Sequence, residues 1–452
     1  MTTLFNNLCE PCTKSELDLE TIPPIQVGII DDYIVSTGPK SALSGSGPLE
    51  FELTASGDDY LDLSQCYLSL KCKVTNGDGS NIRTKVTSTD GTTTSAGDQA
   101  SIGPVNLVLH SLFRQVDVTF NDTLVSTSGD TYPYRAYITT LLSYGNDVKK
   151  TWLKRLEGWG CDQPGKYDAV ENTGLAERTK IIANSRSFDL KGRLHVDMMM
   201  QERLVPNNVT VKVTLVRADP QFSIMNFESG TGGCNIVIED AVLEARKVRL
   251  VADEQLRVEK VLAGSGAKYP ITHVITRHFT VSSGTSTADL EGLFIGQIPN
   301  KVVIGMVRND AFSGKWTKNP YRFQHFNLSS ACLVVDGRHV PAQPLSPDFS
   351  KGLYAECYQG LMKASAQYPN DWSNGISAEH YEDGCCFLAF DLTPDDAGDG
   401  VNYTTPRRMG TVRASLRFSQ TLAQTITILA FGQFDNLVTI DKHRAVMFDY
   451  TT

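Results

Sequence analysis

The chain has 452 residues, of which 41% are hydrophobic and 21% are charged, and its formal net charge is −9. This length exceeds what one hydrophobic core normally fills, so it indicates two or three domains. The acidic balance excludes a protein that wraps nucleic acid through a basic surface, and no apolar run is long enough for a membrane-spanning helix.

The first 22 residues predict an N-terminal arm, because they lack strand-like alternation and end before Pro23-Pro24. They also lack the basic region and the long apolar stretch of a signal peptide, so we expect synthesis in the cytosol. In that reducing compartment the 10 cysteines should be free and mostly buried thiols. Cys9 and Cys12 have the spacing of half a zinc site, but no second pair follows within about 50 residues, and we interpret them as ordinary thiols.

Short strands follow the arm. The predicted segments are 25–30, 49–53, 66–74, 106–120, 209–216 and 236–250. Several alternate between apolar and polar residues, which is typical of half-buried antiparallel strands. Many short strands with few helices indicate a β-sandwich.

Two long segments interrupt the strands of the first half. Residues 76–102 are rich in Gly, Ser, Thr and Asp and predict an exposed loop. Residues 158–184 form a second insertion, after a predicted helix. Loops of this length in a compact domain are usually functional or mobile.

A domain boundary is expected near residue 252, where a charged segment, 253–262, connects the two halves. The second half repeats the strand-rich rhythm. Its predicted strands are 273–281, 293–298, 301–307, 331–335, 386–392, 412–418, 425–431 and 437–448.

A hairpin followed by a helix occurs once in each half. Asn121-Asp122 and Asp336-Gly337, about 215 positions apart, both tolerate the positive φ angles of a two-residue hairpin turn. Helices are predicted downstream at 134–144 and 350–363. A repeat of this length indicates a duplicated domain, with an arm at 1–22, a first copy at 23–251 and a second at 252–452.

Matches to nucleotide-binding loops are weak. Gly160 to Lys166 approaches a phosphate loop, but Tyr167 stands where Ser or Thr should bind magnesium, and Pro164 removes an amide donor. The segment also follows a helix rather than a strand. Residues 230–233 lack dinucleotide-loop spacing and predict a turn.

Candidate catalytic or metal-binding groups are also incomplete. His195-Val196-Asp197 could place two ligands on one strand face, but no third is evident, and a hydrogen-bonded histidine is the favoured interpretation. Glu379-His380 lies in a short helical stretch without the two-histidine spacing of zinc proteases, and the acidic run 395–399 lacks the order of calcium ligands found in an EF-hand. Cys385-Cys386 is interpreted as two small buried side chains at the start of a strand. We therefore expect no catalytic residue, no metal and no cofactor.

Short basic clusters favour a solvated surface over a nucleic-acid site, and we expect no direct sequence-specific binding of nucleic acid. These clusters are Lys149-Lys150, Lys154-Arg155 and Arg407-Arg408. Glycosylation sequons begin at Asn121, Asn208, Asn327 and Asn402, and in a cytosolic chain they should remain unmodified.

Eight segments spread over nearly the whole chain carry a family resemblance. They are LFNNLCEPCTKSELDL at 4–19, GPVNLVLHSLF at 103–113, TYPYRAYITTLLSYG at 131–145, GRLHVDMMMQERL at 192–204, LFIGQIPNKVVIG at 293–305, NDAFSG at 309–314, FDLTPD at 390–395 and VMFDY at 446–450. They resemble the double jelly-roll major capsid proteins, or hexons, of Polinton/Maverick elements and adintoviruses.

The resemblance implies an all-β fold of two tandem eight-stranded antiparallel jelly rolls, each with a helix after its hairpin. It implies a structural virion protein that forms homotrimeric, pseudo-hexameric capsomers tiling an icosahedral capsid, with no enzymatic activity. Expected partners are neighbouring capsomers, penton and minor capsid proteins, a packaging ATPase, a cysteine protease and a possible internal membrane. The arm would lie at the capsomer base, and segments 76–102 and 158–184 would form outer towers.

Two other readings of tandem β-sandwiches remain open. A carbohydrate-active or cupin-like enzyme should carry paired carboxylates or metal ligands on inward strand faces, and none is evident. A glycan-binding or attachment protein should carry exposed aromatic clusters, whereas the tryptophans are dispersed. They are Trp152, Trp159, Trp316 and Trp372.

Overall fold

The structure is a computed structural model. It describes residues 25–43, 46–55, 57–82, 86–87, 93–94, 99–228, 233–368, 370–395, 398 and 404–450. The predicted arm with Cys9 and Cys12, most of the 230–233 turn and the Asn402 sequon lie outside these residues. Within them, no helix is both long and apolar enough to cross a bilayer.

The first half of the chain contains two four-stranded antiparallel sheets that share one core. Its strands are β1 Ile29–Thr37, β2 Leu49–Thr54, β3 Asp59–Asn76, β4 Val86–Thr87, β5 Thr93–Thr94, β6 Gln99–Ala100, β7 Ile102–Pro104, β8 Phe113–Phe120, β9 Thr123–Thr127, β10 Phe188–Arg193, β11 Thr210–Arg217, β12 Ile224–Asn226 and β13 Cys234–Leu250. The large sheets have the orders β1-β13-β3-β10 and β2-β11-β8-β9.

The second half repeats this arrangement. Its strands are β14 Ala267–Val281, β15 Thr287–Gln297, β16 Lys301–Arg308, β17 Phe323–Gln324, β18 Leu328–Val335, β19 Arg338–Leu345, β20 Asp383–Gly384, β21 Phe387–Asp391, β22 Met409–Phe418, β23 Ile426–Ile440 and β24 Val446–Phe448. The large sheets run β14-β23-β16-β21, with β24 beside β23, and β15-β22-β18-β19.

Helices lie between the strands. The α-helices are α1 Val108–Ser111, α2 Tyr132–Ser143, α3 Asn146–Lys150, α4 Trp152–Leu156, α5 Thr173–Ile182, α6 Pro220–Ser223, α7 Ala252–Gly264, α8 Asn309–Phe312, α9 Ala355–Ala364 and α10 Ala378–Glu382. Single 3₁₀ turns occur at Gly129–Thr131, Ala183–Ser185, Asp197–Met199 and Phe349–Lys351.

The two halves match strand for strand. The order 1-13-3-10 in one sheet corresponds to 14-23-16-21, and 2-11-8-9 corresponds to 15-22-18-19. Each half therefore has eight principal strands in two facing antiparallel sheets, which is the jelly-roll arrangement. The predicted fold, an all-β tandem of two jelly rolls, is confirmed.

Local alternation explains how these strands form. In β2, Leu49, Phe51 and Leu53 are buried, while the intervening Glu50 and Glu52 remain partly exposed. In β11, Val211, Val213 and Leu215 are buried in the same way. Because side chains in a strand alternate between faces, each such strand buries one apolar row in the sandwich interior.

The predicted hairpin turns are confirmed in both halves. Asn121 and Asp122 have φ angles of 45° and 65°, and Asp336 and Gly337 have 46° and 84°. Two successive positive φ angles match the twist of the flanking strands. The predicted helices follow as α2 and α9. Asn208 and Asn327 also have positive φ, so three of the four sequon asparagines are turn residues.

Several predicted boundaries are wrong. Residues 106–120 form the short helix α1 and then β8; Leu107 has a left-handed φ of 54°, and the Asn106 side chain exchanges hydrogen bonds with the Gly160 backbone. The predicted strand 25–30 lies later in the chain, as β1. Segments 425–431 and 437–448 are instead the continuous β23 and the short β24. The charged connection 253–262 is the helix α7.

The two predicted loops differ from each other. In 76–102, the described residues include β4, β5 and β6, which pair as a small antiparallel sheet. In contrast, 158–184 is not an exposed loop, since Trp159, Tyr167 and Arg178 are at most 5% exposed and α5 packs against β7. Its aromatic and aliphatic side chains make it part of the core, which argues against the tower role expected for it.

Gly337 provides a test of the duplicated hairpin. Gly337→Ala should lower the free energy of unfolding by about 1–2 kcal/mol, because a Cβ disfavours the left-handed region that a φ of 84° requires. Thermal unfolding measures the effect. Gly47→Ala is the control, since its Cβ would meet open space and its φ is not positive; equal losses in both variants would contradict the turn assignment.

Candidate functional site: the junction between the jelly rolls and the base of the molecule

A cluster of stacked rings joins the two halves. We call it the aromatic junction; its members are Tyr134, Tyr137, Trp159, Tyr321 and Phe323, each at most 5% exposed. Tyr137 stacks on Tyr321 with ring centroids 4.3 Å apart and on Trp159 at 5.6 Å. Tyr134 meets Tyr321 edge-on at 5.8 Å. Rings of this size contribute large buried areas, so the two jelly rolls share a common core.

A helix in the first half and a turn in the second half position these rings in contact. Tyr134 and Tyr137 lie three residues apart on α2 and therefore project from one helix face. On the other side, the Tyr321 amide donates to the Asn319 side chain at 3.0 Å, which fixes the turn before β17. The Asn319 amide in turn donates to Asp168 at 2.8 Å. Segment 158–184 thus holds the second jelly roll against the first.

A buried ion-pair network crosses the same junction. The Arg135 guanidinium lies 2.5 Å from one oxygen of Asp197, and His273 Nδ1 lies 2.7 Å from the other. Although burial raises it, the charges and hydrogen bonds of Arg135 and His273 hold the pKa of Asp197 below its ordinary value. A carboxylate with partners from both halves favours one relative orientation of the halves.

His195 and Asp197 do not act as a pair, contrary to the weaker of the two sequence interpretations. Asp197 starts a 3₁₀ turn and faces Arg135 and His273, whereas His195 lies beside Thr140, with 3.3 Å between His195 Nε2 and the hydroxyl. The favoured prediction of a hydrogen-bonded histidine is confirmed for His195. Its other ring nitrogen has no hydrogen-bond partner among the described residues.

Sequence reasoning missed a buried trio around His195. His110, Glu157 and His195 each offer a ligand atom, and these atoms lie within 4.8 Å of one another. However, hydrogen bonds already engage both ring nitrogens of His110, with Tyr132 at 2.8 Å and Glu157 at 3.2 Å. Those bonds account for His110 and Glu157 as internal polar packing, and the Thr140 hydroxyl lies beside His195.

Lys149 corrects the prediction of a solvated basic cluster. It is 3% exposed, and its ammonium donates to the carbonyls of Leu141 and Asn374, both at 2.7 Å. It also lies 5.4 Å from the centroid of the Trp159 ring. Burial lowers the pKa of Lys149 to about 8. This lysine is a buried connection between the halves, whereas the neighbouring Lys154 and Arg155 are exposed.

The phosphate-loop candidate is a packing segment. The Gly160 amide donates to the Asn106 side chain at 2.9 Å, and the Asp162 carboxylate pairs with buried Arg178 at 2.8 Å. Backbone groups that are already bonded inside the core cannot cradle a phosphate. Glu379-His380 lies on α10, where His380 Nε2 is 3.0 Å from the Asp162 carbonyl oxygen.

The contacts of the acidic run 395–399 and of the Cys385-Cys386 pair show how each motif packs. The Asp391 carboxylate accepts from the amides of Thr393 and Gly398, and the acidic run that follows is only partly described. Cys385 and Cys386 are buried and immediately precede β21, so the filler prediction is confirmed although they do not start the strand. Burial raises the pKa of Cys385 to about 11. All eight described cysteines are free, and seven of them are buried.

The chain termini of both jelly rolls meet at one end, which we call the base. There β1 begins opposite the end of β13, with Ile29 paired to Leu250, and β14 begins opposite the end of β23, with Ala267 paired to Ile440. The helix α7 joins the two halves at this end. The ion pair of Glu259 with Arg444, at 2.7 Å, attaches α7 to the turn after β23.

The base exposes a set of large apolar side chains. They are Ile25 at 78%, Val27 at 75%, Ile30 at 63%, Leu256 at 61% and Val261 at 45% exposure. A concentration of apolar surface on α7 and the entry to β1 is typical of an interaction site. The tryptophans form no comparable patch: Trp152 and Trp372 are 44% and 38% exposed, and Trp159 belongs to the aromatic junction.

The comparisons with known proteins agree with this architecture. No family model matches the sequence. An uncharacterised protein of Caenorhabditis elegans is 22% identical over 416 residues, which cover 91% of this chain and 95% of that protein.

Among solved structures, a chain of the Sputnik virophage aligns with a TM-score of 0.61 at 12% identity and covers 98% of this chain and 93% of its own. The Faustovirus major capsid protein aligns with a TM-score of 0.58 at 8% identity, covering 97% and 94%. The mavirus major capsid protein aligns with 0.53 at 12% identity, covering 98% and 95%. Likeness at this identity establishes a shared fold along nearly the whole chain.

Tyr321 tests the aromatic junction. Tyr321→Ala should lower the free energy of unfolding by about 3–5 kcal/mol, because it removes a fully buried ring. Tyr321→Phe keeps the ring and removes a hydroxyl that has no hydrogen-bond partner within the described ranges, so it should not destabilise the protein. Thermal and guanidinium unfolding distinguish the two variants. A loss in Tyr321→Phe as large as in Tyr321→Ala would contradict this account of the junction.

Because His195 is buried, we expect the stability of the fold to fall in acid. Burial, together with His110 and Arg135, holds the pKa of His195 well below 6.5, so the folded state keeps it neutral while the unfolded chain binds a proton below about pH 6.5. The protein should lose up to about 1.4 kcal/mol of stability per pH unit from this group as the pH falls below 6.5.

Thermal unfolding between pH 7.5 and pH 5, a range set by the ordinary histidine pKa, measures this loss. His195→Gln should flatten the pH dependence, since the titrating group is removed. His443→Gln, in an exposed turn, is the matched control and should leave the dependence unchanged. An unaltered slope in His195→Gln would refute the assignment.

Proposed function

We propose that the protein is a major capsid protein whose homotrimer forms a pseudo-hexameric capsomer of an icosahedral shell. The observation that carries this proposal is the strand-for-strand equivalence of the two jelly rolls, which are held as one unit by the buried junction. Three such chains around a three-fold axis place six similar sandwiches in a ring, and a six-sided block can tile a flat facet. The Faustovirus and mavirus proteins of the same fold are named as major capsid proteins, which supports the proposal.

The finer features are part of the same proposal. Residues 1–22 are an arm, 23–251 the first jelly roll and 252–452 the second. Segment 76–102 forms an outer tower at the end opposite the base. The resemblance of the eight sequence segments supports membership among the capsid proteins of Polinton/Maverick elements and adintoviruses.

The proposal assigns the chain a structural role in the virion, without an enzymatic one. The chain would be made in the host cytosol and become part of the capsid. Its partners would be further copies of itself, neighbouring capsomers, penton and minor capsid proteins, and a possible internal membrane at the base. The net charge of −9 supports a shell in which other components neutralise the packaged DNA.

Size and outline test this function. Gel filtration with light scattering should give a stable trimer of the 49.6 kDa chain, and negative-stain images should have a hexagonal outline. Obligate interfaces bury on the order of 2,000 Å² or more, so the trimer should persist on dilution to nanomolar concentration. A monomer, or an oligomer without six-sided projections, would refute the capsomer.

A further inference from the structure

The described residues at the base form a groove. Its volume is about 530 Å³, and one wall is formed by α7 with Val258 and Val261. Tyr60, Leu204 and Tyr269 contribute apolar surface from the body of the molecule. We call this cavity the base groove. The exposed Leu256 and Ile30 lie on the adjoining α7 and β1, so an apolar surface extends beyond the groove.

Resting on the proposed function, we propose that the base groove binds the N-terminal arm, residues 1–24, of a subunit in a neighbouring capsomer. The described chain begins at Ile25, and Gly28 and Ile29 form part of the groove wall. Every subunit therefore presents its arm at the same end as its groove. Fully extended, 24 residues reach about 80 Å, which is enough to pass to a neighbour.

The chemistry of the arm matches the groove. Leu4, Phe5 and Leu8 place three large apolar side chains within five residues, a spacing suited to a pocket lined by Val258 and Tyr269. The arm carries four acidic residues against one lysine. The groove contributes three basic residues, Arg203, Arg257 and Lys268, against the two acidic residues Glu202 and Glu254. Opposite charges at the rim favour this pairing and its register.

The course of the chain favours the arm of a neighbouring subunit, rather than the subunit's own arm, as the occupant of the base groove. Ile25 and Val27 are 78% and 75% exposed, so the described chain nearest the arm does not pack into the groove. Pro23-Pro24 precedes them, and consecutive prolines favour an extended course. An arm of one subunit that binds the groove of the next is a contact between two different surfaces. Such a contact can repeat from capsomer to capsomer across a plane, as a shell requires.

Photo-crosslinking between two forms of the protein tests the assignment. The groove form is unlabelled, lacks residues 1–22 and carries Val261→p-benzoylphenylalanine; the arm form is the full chain labelled with ¹⁵N. Trimers of each form are purified separately before they are mixed, assembled and irradiated, so that a mixed crosslink joins two capsomers. Labelled arm peptides should then crosslink to α7 at least tenfold more than to the same reagent placed at the exposed Leu353. Yields equal to those at Leu353 would overturn the proposal.

Two substitutions on α7 sharpen the test. Val258→Asp in the groove form should reduce the crosslink at least tenfold, whereas Lys260→Asp, on the exposed side of the same helix, should not. A crosslink yield that Val258→Asp leaves unchanged would contradict the proposal. So would a crosslink that, in full-length chains, joins α7 only to the arm of the same subunit. Trimers with a hexagonal outline but no crosslink would refute the arm assignment alone, whereas a monomer would refute the capsomer itself.

Discussion

The structure depends on a shared core between two sandwiches that could otherwise move as separate domains. The aromatic junction brings α2 of the first jelly roll against the residues before β17 of the second. The Asp197 carboxylate adds ionic partners from both halves, Arg135 and His273. Because each element of the junction requires the others to stay buried, the halves keep one relative orientation. A covalent link through α7 alone would not impose it.

A fixed orientation gives the duplication a geometric use. Two similar sandwiches at a constant angle allow a three-fold assembly to imitate a six-fold one, which a single sandwich could do only with six separate chains. In the proposed capsomer, the hydrophobic and ionic contacts of the junction would therefore determine how subunits fit together, by fixing the shape of each subunit. The base has a different character, with exposed apolar side chains on α7 and β1, and in the proposed shell it would contact neighbouring capsomers.

The sequence predicted features that depend on neighbouring residues. Alternation identified the strands, and the Asn121-Asp122 and Asp336-Gly337 turns revealed the duplication, because both signals are local. Features set by distant partners were missed. Lys149 was expected in solvent, but its carbonyl partner on Asn374 is 225 positions away. The strand predicted at 106–120 begins only at Phe113, and Asn106 before it bonds to Gly160, 54 positions away. The role of 158–184 in the core is likewise set by contacts with the second half.

Cryo-electron microscopy of the purified oligomer, at a resolution that separates β-strands, tests the central claim most directly. The account predicts six sandwiches around a three-fold axis, with α2 of each subunit packed against its own β17. The rotation that relates the two halves of one subunit should nearly equal the rotation that relates the second half of that subunit to the first half of the next. Subunits whose halves adopt variable orientations, or a ring without alternating first and second jelly rolls, would contradict it.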